Sequence, residues 1–298
     1  MYIINFIRGF LMAVADSVPG VSGGTIAFLL GFYDKFINSI NNLISGSKEE
    51  RIYAFKFLAK IGIGWIVGII LSILFITSVF EDNIYIISSL FLGLIISAIP
   101  MIIIEEKDTL KDKYINLVFT LVGILIVFSI TYFNPLTSGS TSSGVTLNSL
   151  ELGLVLFIVV AGMIAITAMV LPGISGSTIL LILGLYSAIL NAIKELLKFN
   201  FEYFLSVFFF GIGILIGAVS TIKIVRYVLE HYRSQTIYTI IGLMIGSLYA
   251  VVMGPLSLEV QQDPLSFDSF SILFFILGGL IIFGLERLRS FQNKKEIK

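Results

Sequence analysis

"PGVSGGTIAFLLGFY", Pro19 to Tyr33, interrupts an apolar stretch with a proline, four glycines, a serine and a threonine. The interruption returns as "PGISGSTILLILGLY", Pro172 to Tyr186, with nine identities in fifteen positions at an offset of 153. Proline has no amide hydrogen to donate, and glycine permits backbone geometry closed to other residues, so an apolar helix should break at Pro19-Gly20 and at Pro172-Gly173. Ser22, Gly23, Gly24 and Thr25 follow the first break, and Ser175, Gly176, Ser177 and Thr178 the second, each ahead of an apolar run. A hydroxyl in that position marks a helix start.

The composition says where these breaks sit. Of 298 residues, 57% are hydrophobic and 13% charged, and the mean hydropathy is +1.03. A soluble domain is about half apolar and a quarter charged. The chain reads as an integral membrane protein. At membrane depth, amides freed by a break must face protein, water or a ligand. A helix N-terminus offers unpaired N–H groups and about half a positive charge, an arrangement that binds anions. The competing reading is that small residues let helices cross closely with no ligand involved. The spaced glycines of "GIGWIVG" (62–68) and "GIGILIG" (211–217) read that way.

Formal net charge is zero, which gives no electrostatic footprint for nucleic acid. With no cysteine there is no disulfide or thiolate site, and His231, the one histidine, lies in a charged segment between apolar runs. Phosphatase chemistry on lipids would use a histidine nucleophile, metal-bound carboxylates or clustered cations. The sequence therefore points to a transporter rather than an enzyme, with no cofactor or metal. The N-terminus lacks a basic leader, and Asp16 stands where a cleavage site would lie, so it reads as retained structure.

Apolar runs near 61–80, 84–104, 114–133, 203–222, 236–253 and 269–285 are candidate spans, while regions 2–44 and 150–197 are apolar but broken. Basic residues set the sides. Lys48, Arg51, Lys56 and Lys60 mark one cytoplasmic loop, Lys107, Lys111 and Lys113 another, and Lys223, Arg226 and Arg233 a third; the tail carries Arg287, Arg289, Lys294, Lys295 and Lys298. Segments 81–83, 134–149 and 254–269 contain no basic residue and belong outside. Both termini are then cytoplasmic. Lys194 and Lys198 fall outside on this path, accompanied by Glu195 and Glu202.

Similarity between the halves extends beyond the breaks. At the same offset Gly9 meets Gly162, Asn38 meets Asn191, Tyr85 meets Tyr238 and Gly93 meets Gly246, and "FTLVGILIVF" (119–128) echoes "FFILGGLIIF" (274–283). The expected organisation is repeat 1 over 1–134, an extracytoplasmic linker over 135–149, and repeat 2 with a cytoplasmic tail over 150–298. Each half crosses an odd number of times, so the copies have opposite orientation, as in many secondary transporters. The expected fold is an all-α polytopic membrane protein. It is an inverted-topology repeat in which each half is a broken, re-entrant helix hairpin plus three transmembrane helices. Re-entrant hairpins are preferred to pairs of full spans because Arg8, Asp16, Asp34 and Lys35 sit badly on lipid-facing helices.

At "DSVPGVSGGTIAFLLGFY" (16–33) and "LPGISGSTILLILGLY" (171–186) the sequence resembles the polyprenyl-phosphate transporter family, and the resemblance covers essentially the whole chain. It implies a bacterial plasma-membrane flippase that returns undecaprenyl phosphate from the outer to the inner leaflet, for reuse in cell-wall polymer synthesis. The residues by themselves reach only an inverted-repeat transporter with a midplane anion site. The same site would serve a small inorganic anion, and a groove open to the bilayer for an isoprenoid tail would separate the two. Oligomeric state stays open.

Moving a negative head group inward opposes an inside-negative potential by about 2.3 kcal/mol per charge per 100 mV. Asp16 precedes the first break, and Met169 stands in its place before the second. Asp16 is therefore expected to carry a proton or to pair with Arg8 or Lys35. Arg226 reads as a headgroup contact or as an ordinary cytoplasmic charge, Tyr33 and Tyr186 as pocket flanks or packing, and Trp65 as core or interface anchor.

Overall fold

The computed structural model describes residues 2–16, 22–72, 83–132, 152–257 and 262–296, all helix and connecting turns. Pro19, Gly20 and the linker 135–149 lie outside the described residues. The first half comprises α1 (Tyr2–Asp16), α2 (Gly23–Leu29), α3 (Tyr33–Ser45), α4 (Lys48–Leu71), α5 (Ile84–Glu105), the single turn α6 (Lys107–Leu110) and α7 (Leu117–Tyr132). The second half comprises α8 (Leu152–Val170), α9 (Gly176–Ile182), α10 (Tyr186–Leu197), α11 (Phe204–His231), α12 (Arg233–Met253) and α13 (Ile272–Glu296).

Among the described residues six helical segments are long and apolar enough to cross a membrane: 48–71, 84–105, 114–132, 152–170, 201–231 and 233–256. The chain is thus an α-helical, multi-pass membrane protein. Three expected boundaries move. Lys48, Arg51, Lys56 and Lys60 are not in a loop; they ride the first turns of α4. Ser47 and Glu50 start that helix as a reciprocal capping box. The Lys60 ammonium lies over an aromatic ring, its Nζ 3.7 Å from the Tyr2 ring centroid. Likewise α11 runs on through Lys223 and Arg226 to His231, its last residue, whose ring stacks on Tyr227 at 4.4 Å. Finally α8, expected as half of a broken hairpin, has 19 residues and is by itself long enough to cross. Helix α1 has 15, about 22 Å at 1.5 Å per residue, shorter than a hydrocarbon core of about 30 Å.

Glycines set the closest helix crossings. A Cβ on Gly9 would lie 1.9 Å from Ile61 O and one on Gly64 2.0 Å from Phe6 O, so α1 and α4 touch backbone to backbone. The crossing of α8 with α11 is built alike, Gly162 against Phe210 O and Gly213 against Val159 O. The remaining long helices pair between halves. Gly93 of α5 abuts Phe275 O of α13, and Gly242 of α12 abuts Thr120 O of α7, each crossing closed from the other side by Gly278 or Gly123. Gly62 and Gly211, in the same spaced-glycine runs, face open space.

Candidate site at the meeting of two helix breaks

Helix α2 begins at Gly23 and α9 at Gly176, seven residues each. Ser22, in extended backbone, caps α2: its Oγ accepts from Thr25 N at 3.2 Å. The same hydroxyl donates to Leu171 O at 3.2 Å, which leaves the Thr25 hydroxyl to donate to Ser22 Oγ at 3.0 Å. Thr25 Oγ1 in turn accepts from Gly173 N at 2.8 Å. The two breaks therefore meet, with two side chains of the first bonded to the backbone of the second. Ser22 and Thr25 are 0% and 1% exposed, so this contact is dry. Tyr33 adds a third tie, donating from its hydroxyl to Val170 O at 3.1 Å.

Glycine is required at both breaks for steric reasons. Gly173 has φ +90°, left-handed backbone costly to other residues, and a Cβ there would lie 2.5 Å from Leu243 O. A Cβ on Gly24 would meet Val170 O at 2.5 Å. The first turn of α2 is thus pressed against the carbonyl end of α8.

The two helix starts differ in what their amides do. Gly23 N donates to Asp16 Oδ1 at 2.7 Å, and Trp65 Nε1 donates to Asp16 Oδ2 at 3.0 Å. The protein's own carboxylate therefore sits at the start of α2. At α9 there is no side-chain cap; Ser175 Oγ and Ser177 Oγ bond each other at 2.7 Å instead. Among the described residues the amides of Gly176, Ser177 and Thr178 carry no hydrogen bond, the first turn being closed only by Ile179 N to Ser175 O. The second break has three amides to offer, the first only Gly24's.

The other expected charges lie apart from the breaks. Asp16 takes neither Arg8 nor Lys35 as its partner: Arg8 donates to Asn5 Oδ1 at 3.0 Å and stacks over Phe32, while Lys35 Nζ sits over the rings of Tyr53 and Phe57. A flat guanidinium and an ammonium stem both gain from aromatic faces, and the carboxylate takes the nearer N–H donors. Asp34 accepts from Arg233 Nη1 at 3.0 Å, and Arg233 also binds Glu106 through Nε and Nη2. That cluster joins the starts of α3 and α12 to the end of α5. Burial raises the Glu106 carboxyl, but hydrogen bonds from Arg233 and Thr109 outweigh it and hold Glu106 below the usual carboxylate range. Arg226 pairs with Glu230 at 2.7 Å and, with Asp34, Asn38 and Arg233, lines a cavity of about 280 Å³.

Trp65, Glu106 and Arg233 were not singled out as partners by sequence. Trp65 carried only the signal of being the single tryptophan. Glu106 and Arg233 both adjoin segments assigned to the same membrane side, which was the available hint.

Six apolar spans and two interrupted segments hydrogen-bonded to each other define a polytopic membrane protein with a polar joint in its interior. The chain belongs to the undecaprenyl phosphate translocase-like family, whose profile matches residues 12–268. It is 36% identical over 298 residues to the polyprenyl-phosphate transporter of Staphylococcus aureus (strain NCTC 8325 / PS 47), covering 96% of this chain and 97% of that one. To the polyprenyl-phosphate transporter of Vibrio cholerae serotype O1 (strain ATCC 39315 / El Tor Inaba N16961) it is 32% identical over 262 residues, covering 83% and 76%. No solved structure matches the chain.

Proposed function

We propose that this chain is a flippase that carries polyprenyl phosphate, undecaprenyl phosphate being the natural case, from the outer to the inner leaflet of a bacterial plasma membrane. The returned lipid re-enters cell-wall polymer synthesis. The observation that carries the reading is the meeting of the two breaks, in a chain whose relatives are named for this lipid. The phosphate is held where the breaks meet, by the amides and hydroxyls of Ser175 to Thr178 and the amide of Gly24, in a geometry that Ser22, Gly23 and Thr25 hold in place. Those of the second break are its first contacts, because three amides there have no partner among the described residues. Each charge-assisted hydrogen bond contributes about 1.5–3 kcal/mol.

The two halves are inverted repeats, each opening with a broken segment. In the first half its leading arm α1 is too short to cross and the segment is re-entrant, while in the second its leading arm α8 is long enough to cross. Support comes from the matched glycine crossings of α1 with α4 and α8 with α11, and from the exchange of helices between halves, α5 with α13 and α7 with α12. The assignment of sides is supported by contacts: Asp34, Glu106 and Arg233, all placed inside by their neighbours' charge, come together. Tyr85 donates to Asp263 O and Ser271 N to Ser89 Oγ, bringing two outside-assigned segments together at the other end. Both termini are then cytoplasmic. Asp16, at the start of α2, is the group that takes up a proton when the phosphate arrives, easing the charge movement against the membrane potential.

The test is transport of a fluorescent polyprenyl phosphate in proteoliposomes, with excess chloride and inorganic phosphate as competitors. Protein-dependent flipping that ignores both anions is expected. No flipping, with chloride or phosphate flux in its place, would move the assignment to an inorganic-anion carrier.

A further inference from the structure

A cavity of about 750 Å³ opens between α5, α6, α7 and α12, within the range of about 300–1,000 Å³ typical of ligand sites. Its walls are apolar: Ile99 and Ile103 of α5, Leu110 of α6, Leu117 of α7, and Ile241 and Ile245 of α12. The wall hydroxyls are already engaged, Thr120 donating to Tyr238 O at 3.0 Å and Tyr238 to Leu110 O at 3.3 Å. Ile103 and Leu117 are 43% and 51% exposed, on helices read as spans, so the cavity is open toward lipid. Its mouth carries Lys107 and Lys111, one turn apart, with Asp108 and Tyr114. Both lysines are exposed, and neither has an ion-pair partner among the described residues. An apolar slot whose rim carries two exposed ammonium groups against one carboxylate, a net positive charge, is complementary to a long hydrocarbon chain ending in an acidic head.

Helix α12 forms one wall of this slot and also borders the second break. Ile241 and Ile245 face the cavity, while the carbonyl of Leu243 between them abuts Gly173. The slot is therefore one helix away from the amides of Gly176 to Thr178. We propose that it is the tail site for the transported lipid at the Lys107–Lys111 face: it holds the proximal isoprenoid units, and the two lysines hold the phosphate as it leaves or enters the breaks. This rests on the transport reading above and adds a second phosphate station, at the membrane face, to the one in the interior.

The test uses the full chain in nanodiscs with a photoactivatable polyprenyl phosphate, the adducts being mapped by mass spectrometry. Adducts in 99–120 and 237–245 that are competed by unlabelled polyprenyl phosphate but not by phosphatidylglycerol are expected. A Lys107→Gln/Lys111→Gln variant should bind the phosphate about three- to tenfold more weakly and the neutral polyprenol equally well. A slot-filling Ile103→Trp variant should lose adducts from both segments. Adducts confined to other segments, or equal competition by phosphatidylglycerol, would overturn the tail site. Flipping by the wild-type protein, measured with the same lipid, separates the two readings. If labelling of the slot fails while flipping persists, only the slot falls; if both fail, the transport reading falls with it.

Discussion

The two breaks are near copies in sequence and have diverged in what they do. The first is closed on itself. Ser22 caps its helix, Thr25 reaches across to Gly173, and Asp16 with Trp65 holds Gly23. The second is open: Met169 stands where Asp16 does, Ser177 where Gly24 does, and its serines bond each other rather than the helix start. One break thus acts as a strut, while the other leaves the amides of Gly176, Ser177 and Thr178 without partners among the described residues. The difference is carried by a few side chains around a shared backbone turn.

Substitutions at matched positions should bring that difference out, and the largest contrast is expected before the breaks. Asp16→Leu leaves the buried N–H groups of Trp65 and Gly23 without acceptors, at about 1–3 kcal/mol each, whereas Met169→Leu conserves volume and costs less than about 1.5 kcal/mol. Thermal unfolding in detergent measures both. Asp16→Asn keeps the shape and removes the ionisable group, so the pH dependence of transport should flatten; an unchanged profile would exclude Asp16 as the proton carrier.

Next come the small residues inside the helix starts. Gly24→Ser drives a Cβ to 2.5 Å from Val170 O, and overpacking of that kind costs about 1–3 kcal/mol. Ser177→Gly, its mirror image, loses one hydroxyl contact and some chain stiffness, about 0.5–1.5 kcal/mol. Smaller again is the difference between caps. Ser22→Ala should cost about 1 kcal/mol, because its hydroxyl accepts from Thr25 N, and Ser175→Ala less, because it caps nothing. Equal destabilisation by the two would contradict the division into strut and open site.

The smallest effect lies just beyond the breaks, where Asp34 of α3 binds Arg233 and its counterpart Ser187 has no charge. Arg233→Gln should cost about 1 kcal/mol or less, the pair being partly exposed. Glu106, held below the usual range, stabilises the fold above its unfolded pKa, and that contribution is lost as pH falls through the lower folded value. Arg233→Gln should therefore weaken the acid dependence of melting; an unaltered acid limb would show that Arg233 does not hold Glu106.

The helix starts at 23 and 176 were legible because proline, glycine and hydroxyl residues leave a local signature that needs no tertiary information. The lower ends of α4 and α11 were not. Basic residues read as loop by charge alone, while a capping box at Ser47 starts α4 as helix, the Lys60 ammonium lies over the Tyr2 ring, and His231 stacks on Tyr227 at the end of α11. The alignment of the halves also slips by one turn: the constant offset pairs Gly93 with Gly246, yet Gly242 makes the corresponding close contact. A shift of four residues returns to the same helix face, so only the partner helix reveals it. The asymmetry of the breaks was half visible, in Asp16 against Met169. The role of Trp65 was hidden, since 49 residues separate it from the carboxylate it binds.

The central claim is that the phosphate is held where the breaks meet. Its most direct test is flipping of labelled polyprenyl phosphate by a Ser22→Ala/Ser175→Ala variant, alongside wild type at equal reconstituted amounts. Loss of about tenfold or more in rate, with the variant still folded and monodisperse, is the predicted result. Flipping at the wild-type rate would contradict it and place the phosphate path elsewhere in the molecule.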